Sequence, residues 1–437
     1  MTSYYTPIEV ARELVRFVPR TASSILEPAV GRGDLLRALL PRLRDDSRID
    51  CVDIDAQALR VVRTDFGPKL GGRLTTIHAD FLKWSNRSPK PVYDCVVMNP
   101  PFFARGKGLK TAMPDGTSLW LPLEGSFLVR ALKLVAPRGR LLAVLPDSVV
   151  SSDRCNGLRK FLSEQGSVLR VHQLPEQSFT TVSGRIHLFV YEKDGQQTPT
   201  TLCNHQLRRP EKMLVTVSGE TRLDYDFHAA ISFEDRLVNS TPDLTWRSLE
   251  EIASVRRGRE ASPNLPGNAI HTTDFTDGYW EHISLPDSPS DLSGFTSLGD
   301  ILIKRVGRGC HLSAGALIAG AGAACTDCVL VIRSNRKSAW PQLLLAIRVV
   351  LQLYGKELLQ RGTGASYLSQ QRLQTLRIPQ QIAQRYPREF TKYSAALRAR
   401  NIAEMRRIEL RVVRRLRRKI PSDPSIQKSA SSKDDVF

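Results

Sequence analysis

Short apolar runs alternate with helical patterns over roughly the first 195 residues, and this alternation commits that part of the chain to a mainly parallel sheet flanked by helices. The strand-like runs are Ser24–Leu26, Ile49–Ile54, Leu74–Ala79, Tyr93–Met98, Arg140–Leu145, Val168–Leu174 and His187–Tyr191. Between them Val10, Leu14, Val15 and Val18 share a helical face, as do Leu35, Leu36, Leu39 and Leu40, and then Phe127, Leu128, Ala131, Leu132 and Val135. Pro137 and Gly139 stop the last of these helices. Little more than the polar turn around Thr180–Gly184 separates the final two runs, so they are expected to pair antiparallel. The expected class is α/β, a Rossmann-like sheet of seven strands with the last one antiparallel.

The polar stretch Lys193–Thr201 reads as a linker, and beyond it the strict alternation is lost. At roughly 100–200 residues per domain, 437 residues give two domains or three. The divisions expected are a first domain over 1–195, a connecting segment over 196–245, a mixed α+β domain over 246–380, a long basic helix over 381–420 and a disordered tail over 421–437. In the basic helix Leu397, Ile402, Met405, Ile408, Val412, Leu416 and Ile420 recur at helical spacing.

Charge narrows the partners. Sixty-three Lys and Arg against 44 Asp and Glu leave a net charge of +19, which points to a polyanion, nucleic acid before an anionic membrane surface. Leu343–Leu353, the best apolar run, is short and broken by Arg348, and the N-terminus lacks the apolar core of a signal peptide. Seven scattered cysteines fit reduced thiols in a cytoplasmic protein. Cys325-x-x-Cys328 has no second pair and the eight histidines form no HxxxH or HExxH motif, so no metal is expected.

Three strand ends carry the chemistry of a nucleoside pocket. Leu26-Glu-Pro-Ala-Val-Gly-Arg-Gly33 is a strand, a glycine turn and a helix start, with Glu27 beside the loop and Pro28 stiffening it. A carboxylate there suits an amine or sulfonium and repels a pyrophosphate. In Val52-Asp-Ile-Asp55, Asp53 stands where ribose hydroxyls are accepted and Ile54 can cover an adenine face; in His78-Ala-Asp-Phe81, Asp80 can accept from an adenine amine while Phe81 packs. S-adenosylmethionine matches this acidic corner better than a dinucleotide does.

The most specific piece is Asp94-Cys-Val-Val-Met-Asn-Pro-Pro-Phe102, a strand closed by a rigid turn. An exocyclic amine on an aromatic ring is a poor nucleophile because its lone pair is delocalised. The Asn99 carboxamide oxygen and the Pro100 carbonyl can both accept from that NH2, localising the lone pair and aiming it at a methyl group. Pro100 and Pro101 hold the acceptors, and Phe102 offers a face to a flipped base.

Asn-Pro-Pro-Phe after these strand ends resembles the N6-adenine DNA methyltransferases of the gamma arrangement, over about the first 195 residues. Tyr5-Thr-Pro-Ile-Glu9 looks like the short motif that precedes their glycine loop. The resemblance implies a class I methyltransferase sheet, S-adenosylmethionine held by Thr6, Glu27, Pro28, Gly31, Gly33, Asp53, Ile54, Asp80, Phe81 and Asn99, and an adenine-amine site at Asn99, Pro100, Pro101 and Phe102. Phe179, in Ser178-Phe-Thr-Thr-Val-Ser183, fits a second base-packing aromatic or a core residue equally. Asp53 replaces the family's common Glu and Val30 its usual small residue.

Leu249–Gly258, Gly299–Gly309 and Ser366–Pro379 resemble, in order, segments of the target-recognition domains of type I restriction specificity subunits. That resemblance implies duplex DNA as partner, with Arg256, Arg257, Lys304, Arg305 and Arg308 near phosphates. Arg105, Lys107 and Lys110, just past the catalytic turn, are candidates for a backbone clamp or a solvated loop. The expected function is site-specific adenine-N6 methylation by base flipping, as the modification component of a restriction-modification or related defence system, working alone or with a separate nuclease. Methylation of an rRNA base or a glutamine amide, and a DNA-binding module with an inactive fold, are the competing readings.

Overall fold

The computed structural model describes residues 6–87, 92–102, 108–179, 184–206, 210–258, 269–275, 279–281, 296–307, 309–319, 324–361, 367–422 and 427–428. They form two compact units, one reaching Tyr225 and taking in residues 424–437, the other spanning 226–423.

In the first unit the strands are β1 (Ser24–Pro28), β2 (Arg48–Asp53), β3 (Leu74–His78), β4 (Tyr93–Met98), the hairpin β5 (Leu109–Ala112) and β6 (Ser118–Leu121), then β7 (Val135–Pro146), β8 (Gly166–Gln173), β9 (Ile186–Lys193), β10 (Thr200–Asn204) and β11 (Glu211–Val215). The large sheet runs β3-β2-β1-β4-β7-β9-β8-β10-β11, with residues 427–428 beyond β11. The first five strands are parallel, and β9 lies antiparallel between β7 and β8. This is the expected Rossmann-like sheet with its antiparallel strand, lengthened by β10 and β11. All seven runs became its strands: the inner ones are buried and read as continuous hydrophobic segments, while β3 is an edge strand with no buried residue.

Helices α1 (Ile8–Val15), α2 (Asp34–Leu39) and α3 (Ala56–Leu70) bury Leu14, Leu36 and Phe66 in one apolar cluster with Ile25, Val97 and Leu142 of the sheet. Elsewhere α4 (Phe81–Trp84) meets α5 (Leu123–Leu134) through Phe81 and Phe127, whose ring centroids are 5.0 Å apart. Helices α6 (Asp147–Ser151) and α7 (Asn156–Gln165) follow, and α5 stops at Leu134, before Pro137.

The division placed at 195 is corrected. Thr200–Asn204 pairs parallel with β8, and β11 pairs antiparallel with β10, so the connecting segment expected over 196–245 begins by extending the sheet. Without β10, β8 would present an open edge. These strands are short and partly polar, which hid them from a periodicity argument.

The second unit opens with α8 (Tyr225–Asn239), β12 (Trp246–Ser248) and α9 (Leu249–Ile252). A five-stranded sheet follows from β13 (Ala253–Arg257), β14 (Tyr279–Glu281), β15 (Ile301–Lys304), β16 (Gly315–Ala319) and β17 (Val329–Ser334), in the order β13-β17-β15-β16-β14. Its core joins sheet residues Ile301, Leu330 and Ile332 to Leu344 and Ile347 of α10 (Trp340–Val350) and to the C-terminal helices. The mixed α+β class is as expected.

The single helix expected over 381–420 is corrected to a short one, Ile382–Arg385, and two longer ones, Pro387–Arg398 and Ile402–Arg417. Arg400 is left-handed at φ 57°, and the Asn401 side chain caps the second helix by accepting from the Glu404 amide at 3.0 Å. The two longer helices fold back on each other, since Arg415 near the end of Ile402–Arg417 pairs with Glu389 near the start of Pro387–Arg398 at 2.8 Å. The buried stripe Met405, Ile408, Val412 and Leu416 packs in the unit's core, so the arginines on the other face are its solvated side. The tail expected to be disordered over 421–437 lies outside the described residues except for 421–422 and for 427–428, which pair with β11. Among the described residues no helix is long and apolar enough to cross a membrane.

Candidate functional site

The site is assembled at the carboxyl ends of β1, β2 and β4. After β1 the chain turns through Ala29, Gly31 and Gly33, all left-handed at φ 58°, 55° and 79°. Gly33 has a second constraint: a Cβ there would stand 2.6 Å from the Phe66 ring. At Gly31 nothing lies within 4 Å of a Cβ, so its conformation rather than crowding selects glycine, and its backbone stays open to a ligand.

Glu27, at the end of β1, is 2% exposed, and its Oε2 has no hydrogen-bond partner among the described residues. Burial, followed by the negative charges of Asp34 and Asp53, pushes its carboxyl well above the usual range. A buried acid beside other acids is stabilised as its anion only by an incoming cation. Asp53 turns back on the loop: one carboxylate oxygen accepts from the Gly31 amide and the other from the Asp55 amide, each at 2.8 Å. Each oxygen keeps a further acceptor site for a ribose hydroxyl. Ile54 is 69% exposed beside it. Asp80 caps α4 by accepting from the Leu82 amide at 2.9 Å, while Phe81 is buried against Phe127.

Asn99 closes the site from β4. Its Nδ2 donates to Thr6 Oγ1 at 2.8 Å across 93 residues of sequence, and its Oδ1 is buried without a partner among the described residues. Pro100 is buried and Pro101 exposed. Phe102 and Phe179 are both buried and belong to the same apolar cluster. Thr6, Glu27, Gly31, Asp34 and Asn99 line one cleft. Two orphaned acceptors in that cleft, one of them a carboxyl that needs a cation, fit S-adenosylmethionine with its ammonium and sulfonium.

Sequence reasoning passed over two features of this unit. Asp147, at the end of β7, is 1% exposed and accepts from Arg185 at 3.0 Å and Ser151 at 2.6 Å, with His187 at 3.2 Å. This cluster anchors the start of β9, where the segment carrying Phe179 returns to the sheet. An acid directly after a strand end, in Pro146-Asp147, was the available signal. The other feature is the β5–β6 hairpin, announced by Met113-Pro-Asp-Gly-Thr117, in which exposed Lys110 faces Trp120, itself 63% exposed.

In the second unit Arg257 and Arg305 both bind Asp327, which ties β13 and β15 to the turn before β17. Lys304 lies 5.7 Å from the Phe275 ring centroid, and Arg256 is half-buried. These side chains therefore brace the fold, whatever else they contact. Arg105, Lys107 and Arg308 lie outside the described residues.

Residues 1–213 match the family described as N-6 DNA Methylase. Among similar proteins, the type II methyltransferase M.HincII of Haemophilus influenzae is 25% identical over 222 residues, 48% of this chain and 40% of that protein. The type II methyltransferase M.TthHB8I of Thermus thermophilus is 29% identical over 177 residues, 36% of this chain and 39% of that one. A tRNA1(Val) (adenine(37)-N6)-methyltransferase of Cronobacter sakazakii is 28% identical over 129 residues, 29% of this chain and 52% of that one. The chain thus spans about half or less of the length of these relatives. Of solved structures, the type IIG restriction endonuclease BpuSI aligns over 96% of this chain and 66% of its own at 15% identity and TM-score 0.44. The family match lies within the first unit, whose sheet carries the cleft described above.

Proposed function

We propose that the protein is a site-specific DNA adenine-N6 methyltransferase. The buried, unpartnered Oδ1 of Asn99 carries this reading. Thr6 occupies the amide nitrogen, which leaves the oxygen to accept from an aromatic NH2 together with the Pro100 carbonyl. Accepting those protons draws the lone pair onto nitrogen and points it at the methyl donor. Bound S-adenosylmethionine supplies the electrophilic methyl group. Glu27 answers its positive charge, Gly31 presents backbone and Asp53 holds that backbone in place. Phe102 and Phe179 supply the aromatic surface against which an extruded adenine is held. The DNA relatives, the +19 charge and the order of the three segments in the second unit support duplex DNA as substrate and the second unit as its reader.

Function in a restriction-modification system, with a separate nuclease, belongs to the same reading and rests on the type II relatives. The tRNA methyltransferase relatives favour a second reading, an RNA adenine amine as acceptor. Methylation mapping of plasmid DNA and total RNA from a methylation-free host expressing the chain separates them. N6-methyladenine at one recurrent DNA motif supports the proposal; modified RNA with unmodified DNA overturns it.

A further inference from the structure

A second cluster lies away from the cleft, where β10 joins β8. Parallel pairing sets Cys203 opposite His172, and His205 follows, its amide donating to the Gln173 carbonyl at 2.9 Å. All three side chains are buried, at 0%, 4% and 7% exposure for Cys203, His172 and His205. One donor atom from each lies within 4.8 Å of the others, and the two imidazole centroids are 5.1 Å apart. Neither ring nitrogen of His172 has a hydrogen-bond partner among the described residues. Glu13 of α1 places a carboxylate oxygen 3.8 Å from His172 Nδ1.

We propose that His172, Cys203 and His205 bind a zinc ion. Two imidazoles and a thiolate are a donor set for this borderline-soft, tetrahedral ion, with water as the fourth ligand. Binding forms a zinc–sulfur bond as the Cys203 thiol releases its proton to solvent. Bond lengths of about 2.0–2.3 Å draw the three donors closer together than they stand here, a movement that side-chain rotation supplies. Glu13 takes the proton-bearing Nδ1 of His172 and leaves Nε2 for the metal, the outer-shell carboxylate that fixes a ligating imidazole. The ion staples β10 to β8, where the sheet extends past its seventh strand, and takes no part in methyl transfer. Without it, a buried imidazole with two unpartnered nitrogens is a cost the fold does not recover.

The test uses the full chain, purified without a histidine tag, and reads metal content, the absorbance of the cobalt-substituted protein, and thermal unfolding. Stoichiometric zinc on purification is expected, as is a thiolate-to-cobalt charge-transfer band after chelation and cobalt addition. That band should persist in Cys328→Ser, vanish in Cys203→Ser, and require about 10-fold more cobalt in Glu13→Gln. Zinc should raise the unfolding temperature of the chelated wild type and of Cys328→Ser. Protein that carries no zinc and gives no charge-transfer band overturns the proposal. So does a band that survives in Cys203→Ser or disappears in Cys328→Ser. The wild-type and Cys328→Ser readings decide the matter even where Cys203→Ser does not fold.

Discussion

Thr6 Oγ1 accepts from Asn99 Nδ2 at 2.8 Å, and this one bond decides which end of the carboxamide is left for a substrate. Thr6 is 7% exposed, so the bond is shielded from water and holds the amide in one orientation. Thr6→Val keeps the shape and removes the acceptor. We expect it to slow single-turnover methyl transfer roughly 10-fold with DNA binding intact, and Asn99→Ala to slow it about 100-fold or more. Wild-type transfer rates in Asn99→Ala would remove the amide from the chemistry.

Glu27 gives a pH dependence of defined sign. Its carboxyl sits well above the ordinary range because of burial, then Asp34 and Asp53. A cationic cofactor pairs with the ionised form, so its affinity should rise with pH until Glu27 is ionised in the free protein, with proton uptake by buffer visible in calorimetry. Glu27→Gln should flatten the dependence and weaken binding. For folding the sign is opposite. A raised carboxyl pKa means stability that is full below the unfolded value and lost as pH rises through the folded one, so Glu27→Gln should unfold at a higher temperature than the ligand-free wild type at neutral pH.

Burial by itself would raise the Asp147 carboxyl, but Arg185, then the hydrogen bond and charge of His187, and the Ser151 hydroxyl hold it well below the ordinary range. A depressed carboxyl contributes stability that is present above its unfolded pKa and lost as pH falls through the folded one. Arg185→Ala leaves that carboxylate buried without its strongest counter-charge. A loss of about 3–5 kcal/mol is expected from urea unfolding. A loss within error of zero would show that the pair does not hold the start of β9.

In the second unit Arg348 of α10 binds Glu409 of the last helix, and both are buried. Glu409→Ala alone should cost about 3–5 kcal/mol because it strands a buried guanidinium. Arg348→Met with Glu409→Met should cost much less, since no buried charge is left. Additive losses in the double variant would refute this account.

Truncation distinguishes two domain boundaries. A chain ending at Lys193 loses β10 and β11 and exposes the edge of β8, so we expect it to aggregate. A chain ending at Tyr225 keeps the sheet through β11 and should remain soluble, bind S-adenosylmethionine and lose DNA sequence preference. An unchanged methylation motif in that fragment would take target reading away from residues 226–423.

Local pattern was enough for the inner strands, because a strand covered on both faces must be largely apolar, and for the glycine turn and Asn-Pro-Pro-Phe, because their residues are contiguous. The amino-acid order also placed Glu27, Asp53 and Asn99 near a common site, since parallel strands bring their carboxyl ends to one edge, and the resemblance of Tyr5-Thr-Pro to a family motif added Thr6. Tertiary structure decided the rest. Asp53 bends back to the Gly31 amide, and Thr6 captures one end of Asn99 from 93 residues away. Strands too short and polar to show a period joined the sheet because β8 offered β10 its hydrogen bonds and β10 offered its other edge to β11. His172 stands opposite Cys203 for the same reason, a juxtaposition set by strand register that no spacing along the chain reveals.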